Sequence, residues 1–345
     1  MNNIEEKIKK ITDISFKFNT SKDSKEKEQL DNELKSIVND LKKKAIEEFK
    51  SESEVKKFLD NIVKLHKYSV NNQMLIWLQK PDANYVASFK TFSEMGYKVN
   101  KGEKSIKILI PSFFKLVKVK MNNEEKVVPY SILNEEEKKI YKDKADNRIT
   151  FYMDKLGSFR TGSVFDASQT NMPLEAIEEA LNPVLIHEDA VTLRDLVSKA
   201  IYKDNIKIEY VDKINNGAKG YFDIVENKIV VRGDLDNLMK VKVLIHEYAH
   251  ALAHKHLIEQ NKDYNEHRNK YETEAESISY VVTKYLGMDT SSYSNSYLYS
   301  WSKNKDFKEI DDSITTIINY SKKILNNIEY IYDKDYGLYS KEIKI

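Results

Sequence analysis

The chain has 345 residues, 41% of them hydrophobic and 32% charged, the make-up of a globular protein large enough for two cores. Lysine and arginine number 56 against 55 aspartates and glutamates, a net charge of +1, which excludes a uniformly basic nucleic-acid coat but not a local basic patch. There is no cysteine, so disulfide scaffolds, thiolate zinc sites, iron–sulfur clusters and cysteine nucleophiles are excluded, and any metal must be held by His, Asp and Glu.

Residues 1–7 lack the apolar core of a signal peptide, and no stretch approaches about 18 uninterrupted apolar residues. A cytoplasmic protein with no membrane partner is expected. Residues 1–66 read as helix, with Leu30, Leu34, Ile37, Val38, Leu41 and Ala45 forming a stripe at spacings of three and four. Asn71 to Leu78 reads as a short buried helix halted by Pro81 and Asp82, and residues 88–95 as another. Residues 97–99 and 105–110 are expected as strands around the turn Asn100-Lys101-Gly102-Glu103. Residues 113–120 and 126–130 suggest a further hairpin about Met121-Asn122-Asn123.

The highly charged residues 134–148 are expected as an exposed helix or insertion, followed by strands at 149–153 and 163–165. Helices are expected over 174–181 and 189–202, separated by an Asn182-Pro183 break. Short strands at 206–210 and 228–231 then lead into helices that continue to the end, where the isoleucines of residues 310–328 mark an amphipathic helix.

The strongest chemical signal is Val243-Leu-Ile-His246-Glu247-Tyr-Ala-His250, an H-E-x-x-H motif set among apolar residues. At 3.6 residues per turn, His246 and His250 project from one helix face, so both imidazoles can reach one zinc ion. Glu247 lies beside that face, placed to accept a proton from a water polarised by the ion. Four of the seven histidines fall between residues 246 and 256. His254 is too far from His246 to share an ion, about 12 Å along the helix axis. His256 reproduces a metzincin spacing, but position 253 is Ala where that arrangement has Gly. The next helix offers Glu272 and Glu276 at i, i+4, with the small Ala275 between them. Glu272 is favoured as third ligand, and Glu276 as an outer carboxylate orienting a histidine or an alternative ligand. Zinc suits such a His₂Glu set, with Mn²⁺ or Fe²⁺ as alternatives.

Upstream, Gly220-Tyr221-Phe222-Asp223 and residues 228–231 read as a hairpin feeding an exposed strand, either an edge that holds an extended peptide substrate or a simple cap on the core. Between residues 97 and 120 stand seven lysines (Lys98, Lys101, Lys104, Lys107, Lys115, Lys118 and Lys120) against the single acid Glu103, interleaved with Tyr97, Phe113 and Phe114. That mixture fits a single-stranded nucleic acid, with ammonium groups along the phosphates and aromatics on the bases. Taken by itself, such a lysine-rich hairpin is more usually a solvated edge protected from aggregation.

Residues 58–111, with His66-Lys-Tyr-Ser69, Asn71-Asn72-Gln73, Ala87-Ser-Phe89-Lys-Thr-Phe92 and Val99-Asn-Lys101-Gly102-Glu103-Lys104, closely resemble the N-terminal domain of ArdC-type antirestriction proteins, in a form similar to LtrC-like proteins of conjugative elements. Val164-Phe165-Asp166-Ala-Ser168-Gln169-Thr170 resembles the segment that follows in that family. The His246–His250 motif with Glu272-x-x-Ala275-Glu276 resembles an ImmA/IrrE-type metallopeptidase domain. The resemblance implies single-stranded DNA binding, with Asn72 and Gln73 joining Lys98, Lys101, Lys104 and Lys107 as DNA contacts. It also implies a zinc-dependent peptidase acting on an unidentified protein substrate, and protection of incoming mobile-element DNA from restriction.

The expected fold is α+β in two domains, an N-terminal one of helices with a small antiparallel sheet and a C-terminal zincin-like one. Residues 1–130 are expected as the DNA-binding domain, 131–165 as a charged insertion, 166–300 as the metallopeptidase domain and 301–345 as a helical tail. Competing readings are a DNA-shielding protein whose metal is structural, a soluble regulatory protease without DNA binding, and a metal-stabilised adaptor recruiting a partner through residues 1–66.

Overall fold

The computed structural model describes residues 2–21, 23–121, 124–143, 145–181, 188–260, 264–290, 299–300, 303 and 305–336. The expected turn at Asn122-Asn123 and the Asn182-Pro183 break lie outside them. In chain order the elements are α1 (Asn2–Thr20), α2 (Ser24–Glu47), α3 (Glu52–Leu65), α4 (Val70–Gln79), β1 (Val86–Ser88), α5 (Phe89–Glu94), β2 (Ile106–Met121), β3 (Glu124–Pro129), α6 (Glu135–Lys142) and β4 (Ile149–Asp166). They continue with α7 (Leu174–Leu181), α8 (Ala190–Lys203), β5 (Lys207–Val211), β6 (Gly220–Asp223), β7 (Lys228–Arg232), α9 (Asn237–Ala253), α10 (Lys255–Gln260), α11 (Tyr264–Tyr285) and α12 (Phe307–Tyr336). The strands stand in the orders β1-β4-β2-β3 and β5-β7-β6.

Two compact units divide the chain, residues 1–41 with 107–162, and residues 42–106 with 163–345. In the first, the α2 stripe from Leu30 to Leu41 is buried as its spacing requires, and Lys7–Asp40 and Lys10–Glu33 ion pairs, each 2.7 Å, link α1 to α2. β2 pairs antiparallel with β3 from Leu116↔Pro129 to Met121↔Glu124, as the sequence suggested. Val117, Leu133 and Ile149 form a small core there, and α6 is started by an Asn134/Glu137 capping box. Residues 149–153 and 163–165 belong to one long strand, β4, rather than two.

The second unit is built on one large hydrophobic core. It draws Phe58 and Ile62 from α3, Trp77 from α4, Leu196 and Val197 from α8, Ile229 and Val231 from β7, Leu244 and Tyr248 from α9, Ile278 and Val281 from α11, and Ile314, Ile317 and Ile328 from α12. This corrects the expected boundaries. Residues 42–106 share a unit with the H-E-x-x-H helix instead of standing with residues 1–41. Of the segment expected as a tail, α12 is no appendage, because its apolar stripe is buried in that core.

Two local expectations also change. Residues 97–99 do not pair with 105–110. Val99 instead bridges Thr170, Asn100 N–H donates to Gln169 O at 2.9 Å, and Lys98 N–H donates to Asn171 Oδ1 at 2.7 Å. The 228–231 strand is not exposed. β7 is the central strand of its sheet, parallel to β5 and antiparallel to β6, with Ile229, Val230 and Val231 buried. The edge beside α9 is β6.

Candidate metal centre

α9 begins at an Asp236 cap, whose carboxylate accepts the Met239 N–H at 2.8 Å, and runs through the core to Ala253. Burial is not uniform along its face. Ile245 and Ala249 are fully buried, while His246 keeps an opening to the surface. The adjacent helix α11 brings Glu272 and Glu276 against it, and the buried Ala275 keeps that face small.

His246 Nε2 lies 3.2 Å from His250 Nε2, and Glu272 Oε2 lies 3.6 Å from the first and 3.5 Å from the second. A tetrahedral ion with bonds of about 2.0–2.1 Å requires ligand–ligand edges of about 3.3–3.4 Å, so this triangle fits a metal ligand set. Glu276 stands behind it, with Oε2 3.1 Å from His246 Nδ1. Glu272 thus stands at the triangle and Glu276 at the outer nitrogen of His246, a difference that their i, i+4 spacing leaves open. His256 is exposed on α10 and stands apart from the cluster.

Electrostatics separate the two histidines. Burial would lower the His246 pKa, but the Glu272 and Glu276 carboxylates outweigh it and push it up to about 10. Burial holds His250 below its ordinary value, only partly offset by Glu272. Hydrogen bonds to the two imidazoles keep Glu272 well below the usual carboxylate range. A site that so favours positive charge on His246 is one that would favour a divalent cation in the same place.

Glu247 is 9% exposed, and burial pushes its carboxyl up to about 7, with His246 and an amide hydrogen bond from Phe222 pulling the other way. That value suits a group that takes up and releases a proton near neutral pH. Phe222 lies in β6, so the edge strand touches the acid directly. Gly220 makes the approach possible: a Cβ there would collide with Val243 and sit 2.9 Å from Val230 O. The result is a cleft of about 410 Å³ lined by Lys219, Gly220, Lys242, His246, Glu247 and Glu276, among others.

Sequence reasoning missed what His254 does. It is fully buried, with Nδ1 3.1 Å from His250 Nδ1 and Nε2 2.9 Å from Glu274 Oε2. The signal was available, since His254 follows His250 by four residues just as His250 follows His246.

The lysine-rich segment is differently placed. Lys98, Lys101 and Lys104 are exposed before β2, and Gly102, at φ +92°, makes the turn between them. Lys107 is half-buried in β2. Lys115 lies over the rings of Tyr130 and Tyr141, and Lys118 pairs with Glu125 at 2.5 Å. Phe113 is exposed, whereas Tyr97 packs against a small core around Phe92. Asn72 and Gln73 are buried in α4, and Gln73 Nε2 donates to Tyr68 O at 3.1 Å. Neither is on the surface, which corrects their expected place among DNA contacts.

Comparison with known proteins bears on residues 24–155, which match the family model for the N-terminal domain of anti-restriction factor ArdC. An uncharacterized protein of Bacillus anthracis, pXO2-81, is 29% identical over 326 residues, 88% of this chain and 53% of its own length. The chain thus spans about half of that relative. Two solved structures of the antirestriction ArdC protein from the R388 plasmid are similar at 16% identity over 76% of this chain. One is described as metal-free (86% of that chain, TM-score 0.40), the other as Mn(II)-bound (85%, 0.41). Sequence motifs and family comparison coincide on one identification: residues 24–155 match the N-terminal domain of anti-restriction factor ArdC.

Proposed function

We propose that this is an antirestriction-type protein of a mobile element that binds single-stranded DNA and carries a zinc-dependent peptidase centre at His246, His250 and Glu272. The DNA reading is supported by the family match over residues 24–155 and by the exposed Lys98, Lys101 and Lys104. The peptidase reading is carried by one observation, the ligand triangle whose His246 shares a cleft with Glu247. Zinc suits two imidazoles and a carboxylate, and Mn²⁺ or Fe²⁺ suit the same donors less selectively. No described helix is long and apolar enough to cross a membrane.

A divalent ion held there would polarise a substrate carbonyl and acidify a water. The chain's own residues do the rest. Glu247 takes the proton from the water as its oxygen bonds to the carbonyl carbon, then delivers it to the amide nitrogen as the C–N bond breaks. Glu276 holds His246 in orientation through Nδ1. The outer edge of β6 can align an extended peptide by main-chain hydrogen bonds, beside the rim lysines Lys219 and Lys242.

The decisive experiment loads the full chain with zinc, manganese or iron and incubates it with a mixed peptide library read by mass spectrometry. Cleavage by the loaded wild type, reduced about 100- to 10,000-fold in Glu247→Gln with metal content unchanged, is the expected result. Absence of cleavage with every metal, or equal cleavage by the variant, overturns the peptidase reading.

A further inference from the structure

We infer that His254 and Glu274 are positioning residues for the metal ligand His250, forming a buried relay that reaches from the metal centre into the C-terminal helix α12. The inference rests on the metal-centre reading above and adds to it. His246 receives its outer carboxylate directly, from Glu276. His250 has no carboxylate on its outer nitrogen; there it meets a second imidazole, and the carboxylate comes one step later.

With both imidazoles neutral, the hydrogen bonds admit one arrangement. Glu274 is 2% exposed; its Oε1 accepts from Ser313 Oγ of α12 at 2.5 Å and lies 3.8 Å from Lys270 Nζ, and its Oε2 lies 2.9 Å from His254 Nε2. A carboxylate can only accept, so a neutral His254 carries its proton on Nε2 and presents a lone pair at Nδ1. The 3.1 Å contact between the two Nδ1 atoms then requires His250 to donate Nδ1–H. That leaves the Nε2 lone pair of His250 facing His246 Nε2 and Glu272 Oε2, the tautomer a metal ligand needs. A histidine and a glutamate with almost no exposure are costly in a core unless their polar atoms are matched, and here each one is. The ring of Tyr271, 4.7 Å from that of His254 and inclined by 32°, packs against the relay.

Packing alone would also bury His254, so the test must separate support of the ligand from support of the core. Zinc affinity of the full-length chain is measured by competition with a chromophoric chelator, and the Co²⁺-loaded forms are compared by visible absorption. His254→Phe keeps a ring against Tyr271 and removes the acceptor, and is expected to weaken zinc binding about 10- to 100-fold. His254→Gln can accept from His250 and donate to Glu274, and is expected to recover most of that loss. Glu274→Gln keeps the shape without the charge, and is expected to lie between them with an altered Co²⁺ spectrum. Wild-type affinity and an unchanged spectrum in His254→Phe and Glu274→Gln, with only their melting temperatures lowered, overturns the inference and leaves the metal centre standing. If His254→Phe does not fold, wild-type affinity and spectrum in Glu274→Gln overturn it alone. Failure of the wild type to bind zinc, manganese or cobalt overturns the metal-centre reading instead.

Discussion

The α9–α11 helix pair and the segment of residues 97–120 both drew attention through clustered ionisable residues, and the structure treats them in opposite ways. On the helices, side chains four residues apart are stacked on one face, and the packing of α11 on α9 closes them into a triangle with edges of 3.2–3.6 Å. In the lysine segment, spacing carries no such obligation. Tyr97 packs against a core, Lys115 and Lys118 are engaged by neighbours, and Lys98, Lys101 and Lys104 remain exposed. Charges brought together by packed helices form a built site. Charges left in solvent form an affinity that salt can screen.

The largest expected effect tests the built side of that contrast. His246→Ala removes a corner of the triangle and should weaken zinc binding by more than the about 100-fold that loss of an outer partner can cost. Chelator competition on the folded variant checks it, and near-wild-type affinity would show that the triangle does not hold the ion. Next comes Gly220→Ala. The added methyl meets Val243 and the Val230 carbonyl, so the variant should lose about 1–3 kcal/mol of stability, measured by denaturant unfolding. The Phe222 amide bond to Glu247 should loosen with it.

On the exposed side, replacing Lys98, Lys101 and Lys104 together with Ala should flatten the salt dependence of single-stranded DNA binding. The slope of log affinity against log salt should fall by about 2, from about 0.7 per lost phosphate contact. Fluorescence anisotropy at several salt concentrations measures this, and zinc affinity should not change. If metal affinity falls as well, the two regions are coupled and the contrast fails.

The smallest effect concerns Glu329 on α12, a half-buried ionisable group that lies outside the centre. Its Oε1 accepts from Tyr285 Oη at 2.5 Å and lies 3.3 Å from His66 Nε2. Burial would raise its pKa, but these partners and Lys67 hold it below the ordinary carboxylate value. A depressed pKa contributes stability above the unfolded value of about 4.5, lost as pH falls through the folded one. Glu329→Gln should therefore cost about 0.5–1.5 kcal/mol at pH 7, a deficit that shrinks toward pH 3 in unfolding measurements.

Much of this was legible in advance wherever periodicity alone decides. The α2 stripe, the H-E-x-x-H face and the shared face of Glu272 and Glu276 all follow from 3.6 residues per turn. The hairpin β2–β3 and the helices α4, α5, α7 and α8 follow from local pattern and caps such as Ser69, Ser88 and Asp189. Partners distant in sequence were not legible. Val99 pairs with Thr170 because a tertiary bridge outcompetes a local hairpin, and β7 is central because β5 arrives parallel to it from across a connection. Gln73, polar and read as available, is buried because α4 sits in the core.

Alone, the sequence determined the paired-histidine set of α9, its shared face and the neighbouring Glu247, because those depend on spacing along one helix. The tertiary structure decided which buried groups stand behind that set. His254 reaches Glu274 across twenty residues, and Glu274 reaches Ser313 across thirty-nine. Hydrogen-bond geometry between separate helices is set by how their cores pack, and no periodicity within either helix encodes it.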